Sequence, residues 1–282
     1  MKKEKGQKEL NSLEECFSLK DKNVVIMGGA GKMAESFSSA LLSAGCKRLV
    51  LADIHTKRLN AVTGKLKKTF GDCKVIGLRC DASSEEQIAR FVQRLQKDIR
   101  KVDVVIYAVM SKPTDYYAPF TKYKFSAWQD VLNANLTGAF LSTQRLLPLM
   151  NPSSSIIFIG SIYGIAAPDL RIYKNVKSNM YGGRYPLSAP AVYSASKSGL
   201  TGLCKYLAVY LAKRNIRVNL LIPGGVYDNQ DKTFYKEYVK RVPLGRMATW
   251  SDYNGALLFL ATSASRYMTG QTLIVDGGWT VW

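Results

Sequence analysis

From Asn23 onward the chain exchanges short apolar runs with longer amphipathic stretches, and this exchange constrains the fold more than any other feature. Val24-Val25-Ile26-Met27 and Ile156-Ile157-Phe158-Ile159 each end at a glycine, as buried strands do. None of these runs approaches the ~18 residues that a membrane helix needs. Strands are expected near 23–28, 48–53, 74–80, 103–108, 155–160, 216–222 and 272–275. Helices are expected over 32–44, 56–69, 84–99, 125–149, 192–214 and 251–261. Such an α/β order implies a doubly wound parallel sheet of about seven strands with helices on both faces.

At 282 residues with 47% hydrophobic composition, the chain suits one large α/β domain over 21–282, preceded by a polar extension over 1–20. The opening MKKEKGQKEL has no apolar stretch behind it, so no secretory signal and no membrane insertion are expected. Five cysteines, Cys16, Cys46, Cys73, Cys80 and Cys204, form no CxxC pair. Reduced thiols in a cytoplasmic protein follow. The formal net charge is +19, but Lys and Arg are spread along the whole chain. A solvated basic surface is therefore expected rather than a nucleic-acid partner, with attraction of an anionic cofactor and substrate as the second reading. The single histidine, His55, has no companion at ligand spacing, and no metal is expected.

Gly28-Gly29-Ala30-Gly31 follows the first strand and opens a helix. Glycine lets the backbone turn sharply and approach a pyrophosphate, which the helix N-terminus attracts. Asp53 ends the second strand, where a carboxylate accepts bonds from both ribose hydroxyls and repels a 2′-phosphate. NAD is thus expected, with NADP as the alternative, because Lys32 could meet a 2′-phosphate. A helix cap is the plain reading of Asp53. Asp81-Ala82 stands where an adenine-contacting pair would sit.

Tyr193-Ser194-Ala195-Ser196-Lys197 places a phenol and an ammonium four residues apart, on one helix face. A free tyrosine has a pKa near ~10, and a cation at ~4 Å contributes up to ~4 kcal/mol at an effective dielectric of ~20. The lysine is therefore expected to lower the phenol pKa before desolvation pushes it back, so that the phenol exchanges a proton with a carbinol or carbonyl oxygen. Ser161, ending the fifth strand, can hydrogen-bond that oxygen. Asn135 can hold a water linking the lysine to solvent. Pro223-Gly224-Gly225-Val226 follows the sixth strand and could cradle a carboxamide. Two irregular stretches, 111–124 and 162–191, are rich in Tyr, Pro, Gly and Lys and follow strands, so both are candidate substrate walls, and the second is expected to move.

Together these residues resemble the short-chain dehydrogenase/reductase family over about 20–282. The resemblance implies a Rossmann-type fold, a nicotinamide cofactor and a homo-oligomer, commonly a tetramer. It implies Asn135, Ser161, Tyr193 and Lys197 as catalytic residues. The implied cofactor contacts are Gly28, Gly31, Lys32, Met33, Asp53, Asp81, Ala82, Ala108, Tyr193, Lys197, Pro223, Gly224 and Val226. Ser161-Ile162-Tyr163-Gly164, Ala167-Pro168-Asp169 with Arg171, Asn229-Gln230 and Pro243-Leu244-Gly245-Arg246-Met247 resemble the branch of bacterial surface-glycan and flagellin-modification pathways. That branch implies an anionic, sugar-linked substrate in polysaccharide biosynthesis, with Tyr163, Arg171 and Gln230 as contacts. A 3-oxoacyl-thioester reductase is the alternative. The departures are Met27, Lys32 and Ala34 in the glycine turn and Tyr107-Ala108-Val109-Met110 in place of Asn-Asn-Ala-Gly. They motivate a third reading, a cofactor-binding scaffold without turnover.

Overall fold

A computed structural model describes residues 12–71, 74–177 and 183–282. Cys73, residues 1–11 of the expected extension and residues 178–182 of the second irregular stretch lie outside the described residues.

Seven strands form one parallel sheet in the order β3-β2-β1-β4-β5-β6-β7. They are β1 (Asn23–Met27), β2 (Arg48–Asp53), β3 (Lys74–Arg79), β4 (Val102–Tyr107), β5 (Met150–Ile159), β6 (Arg217–Pro223) and β7 (Thr272–Val275). The helices are α1 (Leu13–Phe17), α2 (Lys32–Ser43), α3 (Thr56–Phe70), α4 (Glu85–Asp98), α5 (Phe125–Leu132), α6 (Gly138–Leu146), α7 (Ala191–Leu211), α8 (Lys232–Val239) and α9 (Asn254–Ala261). None among the described residues is long and apolar enough to cross a membrane.

Strand side chains alternate between faces, and both faces are covered, which is why the strands read as continuous apolar runs. Val24, Ile26, Leu49, Leu51, Ile157 and Ile159 pack under α2, α3 and α9. Val25, Met27, Val50, Val105, Ile156 and Phe158 pack under α4 to α7. The order reverses between β1 and β4, so their carboxyl ends open a crevice there.

Several elements differ from the sequence expectation. The span 125–149 is interrupted by a π-helical turn over Asn133–Thr137 and closes in a 3₁₀ turn over Leu147–Leu149. α8 is not expected from the sequence, because Lys232–Val239 divides evenly between polar and hydrophobic residues; Phe234 and Tyr238, one turn apart, bury its inner face. Within the stretch read as a polar extension, α1 caps on Ser12, Ser263 Oγ donates to the Cys16 carbonyl at 3.1 Å, and Leu19 is buried.

Candidate active site

The glycine turn is built by backbone alone. Gly28 has φ +83°, a left-handed conformation that glycine adopts without strain, and a Cβ there would come within 2.8 Å of the Ala108 carbonyl. Gly28 and Gly29 both donate to the Ala52 carbonyl, at 2.8 and 2.9 Å, and Ala108 donates to the Met27 carbonyl at 2.9 Å. The turn is thereby clamped between β2 and β4. Gly31 is the N-cap of α2 and supplies no side-chain acceptor to its first turn. That arrangement suits an incoming anion, so the chain's residues fit a dinucleotide pyrophosphate here. Met33 is half-buried on the first turn of α2.

The Asp53 carboxylate accepts from Ala30 N–H at 3.0 Å and from His55 N–H at 2.9 Å. It ties the glycine turn to the start of α3 from the end of β2. Asp81 accepts from the Ser83 amide and hydroxyl, at 2.9 and 2.6 Å, and Ala82 is buried behind it. Lys32 reaches the far lip of the crevice. Its ammonium meets Asp228, in the loop after β6, at 2.5 Å.

On the other side of the crevice, α7 carries Tyr193 and Lys197 inward. Gly164 lets the turn after Ser161 lie directly on α7, because a Cβ there would stand 2.8 Å from the Lys197 carbonyl carbon. Ser198 Oγ seals the contact by donating to the Gly164 carbonyl at 2.8 Å. Ser161 Oγ accepts from Tyr163 N–H at 3.2 Å and lies beside the Tyr193 phenol. Lys197 is buried and donates to the Ile159 carbonyl at 2.8 Å, with its ammonium 5.9 Å from the Tyr193 ring centre.

Of the opposed effects expected at the phenol, desolvation prevails. Burial raises the Tyr193 pKa, and the Ser161 hydrogen bond opposes it. Burial also pushes Lys197 down to about 8. Desolvation favours the neutral form of each group.

Asn135 comes from the π turn and is fully buried. Its Oδ1 accepts from Ser111 N–H at 3.0 Å, and its Nδ2 donates to Ser196 Oγ at 3.1 Å. Ser196 Oγ in turn donates to the Tyr193 carbonyl at 3.0 Å. The side-chain amide is therefore a brace between the β4 loop and α7, and both of its ends are engaged. Tyr107 fills the place of the missing asparagine: its buried hydroxyl donates to the Ala134 carbonyl in the same π turn. Ser196 lies inside the Tyr–Lys motif and has no signal of its own there, whereas Tyr107 stands out in the sequence only as a departure from Asn-Asn-Ala-Gly.

Pro223-Gly224 closes the crevice beyond β6, where Gly224 donates to the Val275 carbonyl at 2.9 Å. Val226 pairs with Ala248 in an isolated parallel bridge. Of the expected substrate contacts, Tyr163 stands edge-on to Tyr193 with ring centres 6.4 Å apart and shares a hydroxyl hydrogen bond with Tyr173 at 2.9 Å. Arg171 is exposed and held by Asp169 at 2.8 Å. Asp169 also takes Arg241, and the two guanidinium groups hold its carboxyl well below the usual range. Gln230 accepts from Asp228 N–H at 2.7 Å and donates to the Val226 carbonyl at 2.6 Å, so its amide braces its own loop.

Residues 22–178 match the short chain dehydrogenase family, and residues 176–280 match a family described as enoyl-(acyl carrier protein) reductase. The chain is 29% identical over 265 residues to post-translational flagellin modification protein A of Campylobacter coli, covering 93% of this chain and 99% of that one. It is 28% identical over 274 residues to the rhamnolipids biosynthesis 3-oxoacyl-[acyl-carrier-protein] reductase of Pseudomonas aeruginosa, covering 93% and 97%. Among solved structures, a short chain dehydrogenase from Leptospira borgpetersenii with bound NAD+ superposes with a TM-score of 0.76 at 28% identity, covering 98% of each chain.

Proposed function

The chain belongs to the short-chain dehydrogenase family, and from that premise we propose that it interconverts an alcohol and a ketone on a phosphorylated or nucleotide-linked sugar. That it is an NAD(P)-dependent oxidoreductase acting on CH–OH groups follows from the family. The observation that carries the reading is the convergence of Ser161, Tyr193 and Lys197 at the β5 end of the crevice, opposite the clamped glycine turn.

A bound nicotinamide supplies or accepts the hydride. The protein's own residues handle the oxygen. Tyr193, kept protonated by burial, stands ready to give its proton to a carbonyl oxygen and, in the reverse sense, to take one from a carbinol. Ser161 Oγ orients that oxygen. Lys197 offsets charge left on the phenolate from within the same buried space. Asn135 and Ser196 act by positioning α7.

Asp53 supports NAD as the preferred cofactor, because its carboxylate would face a 2′-phosphate with like charge. Lys32, engaged with Asp228, gives no counterweight there. The likeness to a flagellin-modification protein supports a sugar-linked, anionic substrate in cytoplasmic glycan biosynthesis, and the tyrosine-rich wall around Tyr163 and Tyr173 suits a sugar ring. The second reading, a 3-oxoacyl-thioester substrate, draws on the Pseudomonas relative and the match over 176–280. A homo-oligomer, dimer or tetramer, is supported by the apolar face that α7 leaves open at Tyr206, Val209 and Tyr210.

The test titrates NADH and NADPH into wild type and Asp53→Ala, then screens sugar phosphates, nucleotide sugars and 3-oxoacyl thioesters by nicotinamide absorbance. We expect NADH to bind more tightly than NADPH, and Asp53→Ala to weaken NADH about tenfold or more. Turnover of a 3-oxoacyl thioester with none of any sugar would overturn the substrate assignment.

A further inference from the structure

Lys32 and Asp228 lie 196 residues apart in the chain, yet their charged atoms meet at 2.5 Å. Lys32 opens α2 at the glycine turn, and Asp228 hangs from the loop beyond β6, so the pair spans the mouth of the cofactor crevice. The partners differ in setting: the Lys32 side chain is 61% exposed, the Asp228 side chain only 10%. Asp228 is fixed from behind by Gln230, which bonds its N–H and the Val226 carbonyl, and by Asn229 in a left-handed conformation at φ 58°. A second lysine, Lys112, follows β4 on the other lip. Burial of its ammonium pulls its pKa down to about 8, while Asp228 pulls the other way.

A nearly buried carboxylate paired with the first residue of a helix that has no side-chain cap is unusual. Resting on the assignment of a nicotinamide cofactor, we propose that Asp228 is an internal competitor of the dinucleotide pyrophosphate. It holds Lys32 across the crevice in the cofactor-free protein, and its charge also acts on Lys112. The pyrophosphate takes both ammonium groups from it on binding. Lys32 thus serves the part of the cofactor that NAD and NADP share, rather than the 2′-phosphate that separates them.

The test measures NADH and NADPH dissociation constants by nicotinamide fluorescence at low and moderate salt. It uses wild type, Asp228→Asn, Lys32→Met, Lys112→Met and the Asp228→Asn/Lys32→Met double variant, each checked for an unchanged melting temperature. Asp228→Asn is expected to tighten both cofactors by about three- to tenfold, the range that a partly exposed ion pair allows, with the gain shrinking as salt rises. Each lysine variant should weaken both cofactors alike. The gain from Asp228→Asn should shrink in the Lys32→Met background, because one of the released cations is then missing. Unchanged or weaker binding by Asp228→Asn would overturn the proposal, and so would an effect of Lys32→Met confined to NADPH. The outcome is independent of the substrate assignment. A protein that turns over no sugar can still show the tightening, and one that oxidises sugars readily can lack it.

Discussion

Replacing Tyr107 by Phe removes one oxygen atom from the centre of the molecule, and the structure says what that atom does. The ring is 2% exposed, and its hydroxyl donates to the carbonyl of Ala134 inside the π turn. Gly138 is cut away to admit it, since a Cβ there would lie 2.3 Å from both the Tyr107 hydroxyl and the Ala82 carbonyl. Burial holds the Tyr107 pKa well above its usual value, so the group stays a donor across the working pH range. The phenylalanine variant loses one buried hydrogen bond and leaves a carbonyl without that donor, a cost of about 1–3 kcal/mol. For a chain of 282 residues, an unfolding entropy of roughly 2.1 cal/mol/K per residue gives about 0.6 kcal/mol/K. A 2 kcal/mol loss, the middle of that range, then lowers the melting temperature by roughly 3–4 °C. Asn135 is the next residue after the orphaned carbonyl, and it braces Ser111 to Ser196. A relaxed turn should therefore also lower kcat by several-fold with little change in cofactor affinity. Thermal melts and steady-state kinetics on the two proteins test this. A melting temperature within about 1 °C of wild type, with kcat unchanged, would refute the idea that the hydroxyl replaces the missing asparagine.

Lys197→Met should abolish turnover, and its stability relative to wild type should depend on pH. The folded-state pKa of about 8 lies below the 10.5 of the free side chain, so the unfolded chain binds more protons between those values. Wild-type stability therefore gains relative to the variant as pH rises from about 8 toward 10, in urea melts at fixed salt; a constant difference would contradict the burial argument. Val209→Lys places a charge in the exposed apolar face of α7, and light scattering should show a smaller assembly than wild type. An unchanged mass would move the subunit contact elsewhere.

Much of the fold is legible in the sequence because strands buried on both faces leave long apolar runs that stop at glycine. β1 to β4 and β6 to β7 fall within a residue or so of expectation, whereas β5 begins five residues early, at Met150. The π turn is invisible because an extra residue per turn has no compositional mark: Asn133-Ala134-Asn135 reads as ordinary helix. α8 is hidden for another reason, since its apolar contacts are aromatic and few. The Tyr–Lys motif shows which residues share a helix face but not how deeply they are buried, and burial decides the direction of both pKa shifts. The Lys32–Asp228 contact joins opposite ends of the chain, so no local pattern could announce it.

The strand order also sets a schedule for synthesis. β1, β2 and β3 pair as soon as Arg79 has left the ribosome, since they are adjacent in space and in sequence. The other edge of β1, apolar from Val24 to Met27, has no partner until β4 arrives with Val102–Tyr107. A nascent chain paused in that interval carries a naked sheet edge, the form most prone to pair with another chain. The strands that carry the glycine turn, Asp53 and Asp81 thus all precede Ser161, Tyr193 and Lys197 in translation, and the open edge of β1 is the part of the sheet that waits.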